Sequence, residues 1–190
     1  ITRNYKVLSD KIPVYFGLFN TMGTIYDAEA YLWGFEIGTF LPKKSRHLLL
    51  VKICGTWIDN NIDIMVAQDN VKDATSFPLQ LRYGGIKAGY TPFGQSTIQP
   101  SIELFVAGGD MALSVNKKYY NENKFYLKSR TNSVFIVEPQ LNVEFYLTEF
   151  IKAGLGVSYR NVYNVDVPWI SKNDLSNFGF HGLFKIGKFY

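Results

Sequence analysis

Two histidines, one cysteine and sixteen Asp and Glu residues are the groups through which this 190-residue chain could do covalent or metal chemistry. His181 lies in "SNFGFHGLFKIGKFY" with Ser158 in the segment before it and Glu144 in the one before that, so a base, a hydroxyl and a carboxylate could meet. Sequence alone sets neither their heights nor their distances, and the simpler reading is a histidine hydrogen-bonded in a polar interior. His47 stands in a basic turn, "PKKSRH". Cys54 has only Lys52 nearby to lower its pKa and reads as an inert, buried thiol. Asp59, Asp63 and Asp69 share a segment without the spacing of a calcium loop. There is no G-x-S-x-G, no phosphate-cradling Lys-Ser/Thr loop and no cluster of metal ligands in the sequence. The expectation is a protein that is no enzyme and takes no cofactor and no metal.

The remaining ionisable residues fall into a pattern. Glu36, Glu103, Glu138 and Glu144 stand against Lys52, Arg82, Lys152, Arg160 and Lys185 on what reads as one face of successive strands, with His181 on that face too. Mixed signs packed side by side can pair, which a closed interior requires because an unpaired buried ion costs several kcal/mol or more. The expectation is a plug of ion pairs in which Arg82, Lys152 and Arg160 meet the interior glutamates.

What places these residues is period-two alternation. In "AEAYLWGFEIGTF" Tyr31, Trp33, Phe35 and Ile37 share a face opposite Ala30, Gly34, Glu36 and Gly38, with Leu32 an exception. "HLLLVKICGTW", "FIVEPQLNVEFYLTEF", "FIKAGLGVSYR" and the final segment alternate likewise. "SFPLQLRYGGIKAGY" and "TIQPSIELFVAGGDMALSV" change their apolar parity at Gly84-Gly85 and Gly108-Gly109, which predicts bulges, and "IPVYFGLFN" is a weaker eighth strand. Pro139 inside a strong strand predicts one more bulge. Short turns at "PKKSR", "TPFGQS" and "TE" alternate with longer connections at "TMGTIYD", residues 59–76, 116–132 and "NVDVPWISKNDL". That is the order of an all-β, eight-stranded antiparallel up-and-down barrel, one domain over residues 1–190, with both termini at the short-turn rim.

A hydrophobic fraction of 47% excludes a disordered chain, and no run of residues is long and apolar enough for a helical membrane span. No signal-peptide pattern stands in residues 1–15; the chain either never carried one or is shown after its removal. A mean hydropathy of -0.04 suits a transmembrane barrel, since half of each strand faces a polar interior. Three features set the apolar face outward towards lipid. Glycines crowd the polar face (Gly34, Gly38, Gly154, Gly156, Gly179, Gly187), the charges there are of both signs, and Trp33, Trp57, Tyr31, Phe145, Tyr159 and Tyr190 share the apolar face as an interfacial girdle would. In lipid the first and last strands must also bond to one another.

The aromatic-terminated last strand resembles the assembly signal of Gram-negative outer-membrane barrels. "RYGGIKAGY", "IELFVAGGDMA", "VFIVEPQLNVEFYLTEFIKAGLGVSYRNV" and "LFKIGKF" resemble small outer-membrane β-barrel proteins of Bacteroidetes-type bacteria over about the last 110 residues and poorly over the first 75. The basic turn "PKKSRH" and Tyr190 after "GKF" depart from that pattern. The resemblance implies an eight-stranded barrel in the cell outer membrane, of porin-like build, and no catalytic residues. The expected role is structural or interactive, as an accessory of a larger envelope complex. The alternatives are a lipid-modifying barrel enzyme and a soluble ligand-carrying barrel. The expected contact surface is a loop in which Lys117, Lys118, Lys124, Lys128 and Arg130 interleave with Tyr119, Tyr120, Phe125 and Tyr126. Such a mix suits outer-membrane lipid, lipopolysaccharide or other envelope proteins, and not nucleic acid. The apolar "IDIMV" within the acidic connection either extends strands above the membrane or touches another protein.

Overall fold

The computed structural model describes residues 13–26, 28–41, 47–58, 62–66, 75–94, 96–113, 130–166 and 170–189. Almost all of them are strand: β1 (Val14–Ile25), β2 (Ala28–Leu41), β3 (Leu48–Ile58), β4 (Ile62–Val66), β5 (Thr75–Thr91), β6 (Ile98–Leu113), β7 (Arg130–Tyr146), β8 (Ile151–Tyr163) and, after a short helix α1 (Lys172–Leu175), β9 (Asn177–Gly187). Every pairing is antiparallel and follows chain order, and β9 returns to pair with β1. β3 and β4 both pair with β5, so they are one stave in two pieces. Trp57 faces Arg82 and Ile62 faces Leu79, so the stave spends two more residues than β5 does across the break. The result is a closed barrel of eight staves, and "IDIMV" extends its third stave.

Closure has a measurable tilt. From Tyr15 the register runs through Gly38, Lys52, Lys87 and Phe105 to Glu138, and at the unbroken β7–β8 offset on through Arg160 to Asn177. At the offset of the β1–β9 pairing, Asn177 stands level with Ile25, ten residues beyond Tyr15 on β1. Eight staves with that stagger tilt by about 40° and enclose a barrel of roughly 8 Å radius, room for side chains only.

The orientation of the faces is settled by burial. Trp33, Phe145 and Leu155 are 42%, 39% and 69% exposed on the outside, while Lys152 and Glu144 are 1% and 4% exposed within. The outward positions of all staves form an apolar belt bounded by Trp33 and Trp57 towards one end and by Leu41, Leu49 and Ile98 towards the other. Water cannot wet such a surface without a large hydrophobic penalty, whereas acyl chains can cover it.

Four expectations need correction. No bulge occurs at Gly84-Gly85 or Gly108-Gly109, because β5 keeps one register with β3 and with β6 throughout. The apolar side changes there because the strands leave the belt. Above it Leu79, Leu81, Tyr83 and Met111 point inward as core, and Gln80, Arg82 and Asp110 point outward. Leu32, the exception in β2, is fully buried for the same reason. Pro139 makes no bulge either. The ladder to β8 skips Glu138 and Pro139 and resumes at an unchanged offset, and the Asn161 amide donates to the Val137 carbonyl nearby (3.4 Å). Lastly, "TMGTI" is not loop. β1 runs to Ile25 and β2 opens at Ala28, with Tyr26 in the left-handed region (φ 51) and its N–H donating to the Asp174 carbonyl (2.7 Å).

Candidate functional site

The interior is stacked in three layers. At the end of the barrel where β1 opens and β9 closes is an aromatic floor of Tyr15, Phe40 and Phe189, with Leu48 and Leu50 beside it and Tyr146 at its edge. The rings meet at centroid distances of 5.1 to 6.0 Å. Lys152 reaches into this cluster with Nζ 4.8 Å from Phe40, 4.4 Å from Tyr146 and 4.6 Å from Phe189, and it donates to Gln99 Oε1 at 2.5 Å. A desolvated ammonium gains up to about 2 kcal/mol from such ring faces.

The middle layer is ionic. Lys52 lies 2.7 Å from Glu103 and 3.2 Å from Glu36. Glu36 also takes Lys185 at 3.1 Å and Lys87 at 3.4 Å. Lys185 bonds Glu144 closely, and Glu144 lies 3.9 Å from Lys152. The charges therefore alternate in one chain from Glu103 to Lys152, drawn from β6, β3, β2, β9, β7 and β8. All its members are at most 5% exposed. The narrow lumen admits them because facing positions lack side chains. A Cβ on Gly38 would stand 2.6 Å from the Tyr15 hydroxyl and 2.9 Å from Lys52 Cγ.

Above this lies an apolar cap of Ile25, Leu32, Leu79, Leu81, Phe105 and Met111, with Cys54 within it. The β8–β9 connection completes it. Ser171 and Asp174 form a capping box that starts α1, and Ile170 and Leu175 are buried in the barrel mouth. Arg160 Nε donates to the Leu175 carbonyl (3.3 Å), and the Val162 N–H donates to Ser176 Oγ (3.0 Å).

Glu36, Lys52, Glu103, Glu138, Glu144, Lys152, Arg160, His181 and Lys185 thus face the interior. Arg82 does not. It lies exposed on the outer face above the belt, next to Asp110 of β6. Nor does Arg160 meet a carboxylate within 4 Å among the described residues; α1 supplies its acceptor. Glu138 instead accepts from Gln140 (2.8 Å) and Tyr83 (3.4 Å). Lys87 was overlooked. Its signal was present, since it stands on the opposite parity to Ile86, Ala88 and Tyr90. Of the basic-aromatic loop, residues 117–128 lie outside the described residues, and Arg130 opens β7.

His181 faces inward and its Nε2 meets Asn142 Oδ1 at 2.6 Å, while Nδ1 has no partner. Neither Ser158 nor Glu144 is bonded to it among the described residues, so the geometry assembles no nucleophile–base pair. His47 pairs with the Tyr90 hydroxyl at 2.5 Å on the short-turn rim. No group of three or more His, Cys, Asp or Glu side chains that could hold a metal ion occurs among the described residues.

No protein-family model matches the chain, and no curated protein matches it in sequence. Solved structures do match in shape. Neisserial surface protein A (NspA) superimposes with a TM-score of 0.61 at 12% identity, over 92% of this chain and 96% of that one. The N-terminal β-barrel domain of Pseudomonas aeruginosa OprF gives 0.56 at 11% identity, over 93% and 99%. Ail, the attachment invasion locus protein of Yersinia pestis, gives 0.56 at 10% identity, over 93% and 96%, and is also solved in complex with the heparin analogue sucrose octasulfate. At these identities the likeness is one of fold, and the fold is the closed eight-stranded antiparallel barrel of Gram-negative outer-membrane proteins.

Proposed function

We propose that this chain is an integral outer-membrane barrel with a structural or interaction role, neither a channel nor an enzyme, belonging to the small barrels of Bacteroidetes-type bacteria. The observation that carries this is the filled interior inside an apolar outer belt. An aromatic floor, a chain of ion pairs and an apolar cap succeed one another along the axis, with an outer surface suited to acyl chains. Among the described residues the interior positions are taken by packed side chains, which supports an activity at the surfaces. The basic-aromatic loop between β6 and β7 is the contact we assign to acidic envelope components such as lipopolysaccharide phosphates. A polyanion bound by Ail offers a precedent on this fold. Membership of a larger envelope complex is the further part of this proposal.

The test is reconstitution. Detergent-solubilised protein inserted into planar bilayers should give no step conductance, and unheated samples should migrate anomalously on gels. Reproducible unitary currents would overturn the plugged reading. Extraction from membranes without detergent would overturn the membrane reading.

A further inference from the structure

Between the chain of ion pairs and the apolar cap, the wall formed by β7, β8, β9 and β1 turns four polar side chains into the lumen. These are Gln140, Ser158, His181 and Thr21, and they are 5%, 4%, 6% and 9% exposed. Ser158 is the register partner of Gln140, and Thr21 is that of His181. At the barrel's stagger and tilt all four lie within about 5 Å of one level along the axis. Gly179 stands between Ser158 of β8 and the β1 wall. A Cβ built on it would lie 2.7 Å from Thr21 Cγ2 and 3.3 Å from Ser158 Oγ, so both side chains lean over the glycine.

Two buried atoms at this level have their hydrogen-bonding capacity unmet by the protein. Gln140 donates its amide to Glu138 Oε1 at 2.8 Å, while its own Oε1 has no partner among the described residues. His181 Nε2 meets Asn142 Oδ1 at 2.6 Å. An amide oxygen only accepts, so Nε2 carries the ring proton and Nδ1 presents a lone pair. That lone pair also has no partner among the described residues. Each buried acceptor left unbonded costs about 1–3 kcal/mol, and native interiors meet such groups with protein or with ordered water.

We propose that this level of the lumen is a closed binding site for water, with His181 Nδ1 and Gln140 Oε1 as its acceptors and the Ser158 and Thr21 hydroxyls completing the shell. The chemistry of the wall selects the occupant. Two acceptors call for a ligand with two donor hydrogens, and the hydroxyls give or take as the cluster requires. A buried water makes about three hydrogen bonds, and this wall supplies them. A metal cation is disfavoured by charge. The interior holds five cations, Lys52, Lys87, Lys152, Lys185 and Arg160, against the four carboxylates of Glu36, Glu103, Glu138 and Glu144. An anion would meet acceptors where it needs donors. Water held here ties β7 to β9 across β8, as the His181–Asn142 bond already does.

The test uses the unmodified chain in detergent. A high-resolution crystal structure should show water within about 3.2 Å of both His181 Nδ1 and Gln140 Oε1. Nitrogen NMR of the imidazole should report the Nε2–H tautomer with Nδ1 accepting a hydrogen bond, and magnetisation should pass from water to the ring C–H protons of His181. Gln140→Leu, which removes one acceptor, should lose most of that transfer; if this variant does not fold, the measurements on the parent decide alone. Protein groups bonded directly to both atoms, an ion at the site, no density there, a ring proton on Nδ1, or transfer unchanged in a folded Gln140→Leu overturns the site. Water running on past the ion pairs or the cap to a rim overturns the closed site and the plugged reading together.

Discussion

Glu36 is where the ionic layer is most exposed to perturbation. Three ammonium groups converge on it, but they depend on it unequally. Lys52 keeps Glu103 at 2.7 Å if Glu36 is neutralised, and Lys185 keeps Glu144. Lys87 has Glu36, at 3.4 Å, as its only carboxylate within 4 Å among the described residues; otherwise it faces the rings of Phe19 and Phe105 at 4.9 and 5.5 Å. Glu36→Gln is nearly isosteric, so packing is kept and the loss is electrostatic. It strands one buried ammonium outright and weakens two others. Breaking a buried pair from one side costs about 3–5 kcal/mol, whereas replacing both members by groups of similar shape is close to neutral. Glu36→Gln should therefore destabilise the barrel by about 3–5 kcal/mol. Adding Lys87→Met, which removes the stranded charge and leaves the stem to pack on Phe19 and Phe105, should restore more than half of that. The assay is reversible urea unfolding in detergent micelles or thin bilayers, followed by tryptophan fluorescence and by the gel shift of the folded barrel. A Glu36→Gln midpoint within error of the parent, or a double variant less stable than Glu36→Gln, would refute the assignment of Lys87 to Glu36.

Leu155→Arg, at a site 69% exposed on the belt, should cost about 2–4 kcal/mol in bilayer refolding, while Asp110→Arg above the belt should cost at most about 1; equal costs would contradict the placement of the belt edge. Gly156→Val should lower stability by about 1–3 kcal/mol, because a Cβ there enters the space of His181 and Asn142, and the imidazole NMR signals of His181 should shift with it. Lys152→Ala should cost about 2–4 kcal/mol through a cavity among Phe40, Tyr146 and Phe189, and Lys152→Met clearly less, as read from urea midpoints.

Alternation was enough to read most of the barrel, because a wall between two solvents imposes a period of two that local propensity cannot mimic. Trp33, Ile37, Ile53, Leu141, Leu155 and Phe180 could be assigned outward from sequence because the belt is continuous at their depth. The same rule failed where the solvents exchange places. At Leu79, Leu81 and Tyr83 the apolar residues turn inward without any slip in register, since water replaces lipid outside and the interior becomes the apolar cap. A reading that equates apolar with outward must invent a bulge there, and it then misplaces Arg82. Lys87 was missed by the same step. Distances were never legible. That Glu36 gathers three lysines while Arg160 turns to the Leu175 carbonyl depends on the ten-residue stagger, which emerges only when all eight staves are closed.

One rule then accounts for the polar side chains of the wall. Within the belt, ionised groups point inward, where staves distant in sequence supply partners: β6 and β3 for Glu103 and Lys52, β9 and β7 for Lys185 and Glu144. Arg82 and Asn20 point outward instead, and their depth accounts for both. Arg82 follows Gly84 on the outward side of β5, beside Trp57 of β3 and Asp110 of β6, at the level where the apolar belt gives way to polar side chains. There water reaches its guanidinium, and a cation costs at most about 1 kcal/mol. Arg82 therefore calls for no partner. Asn20, the register partner of Trp33, likewise lies just below the belt's upper edge, and its amide donates to the Leu32 carbonyl (3.4 Å). Depth, not residue type, therefore decides which outward polar groups this wall tolerates, and both stand near its upper edge, where water and headgroups are within reach.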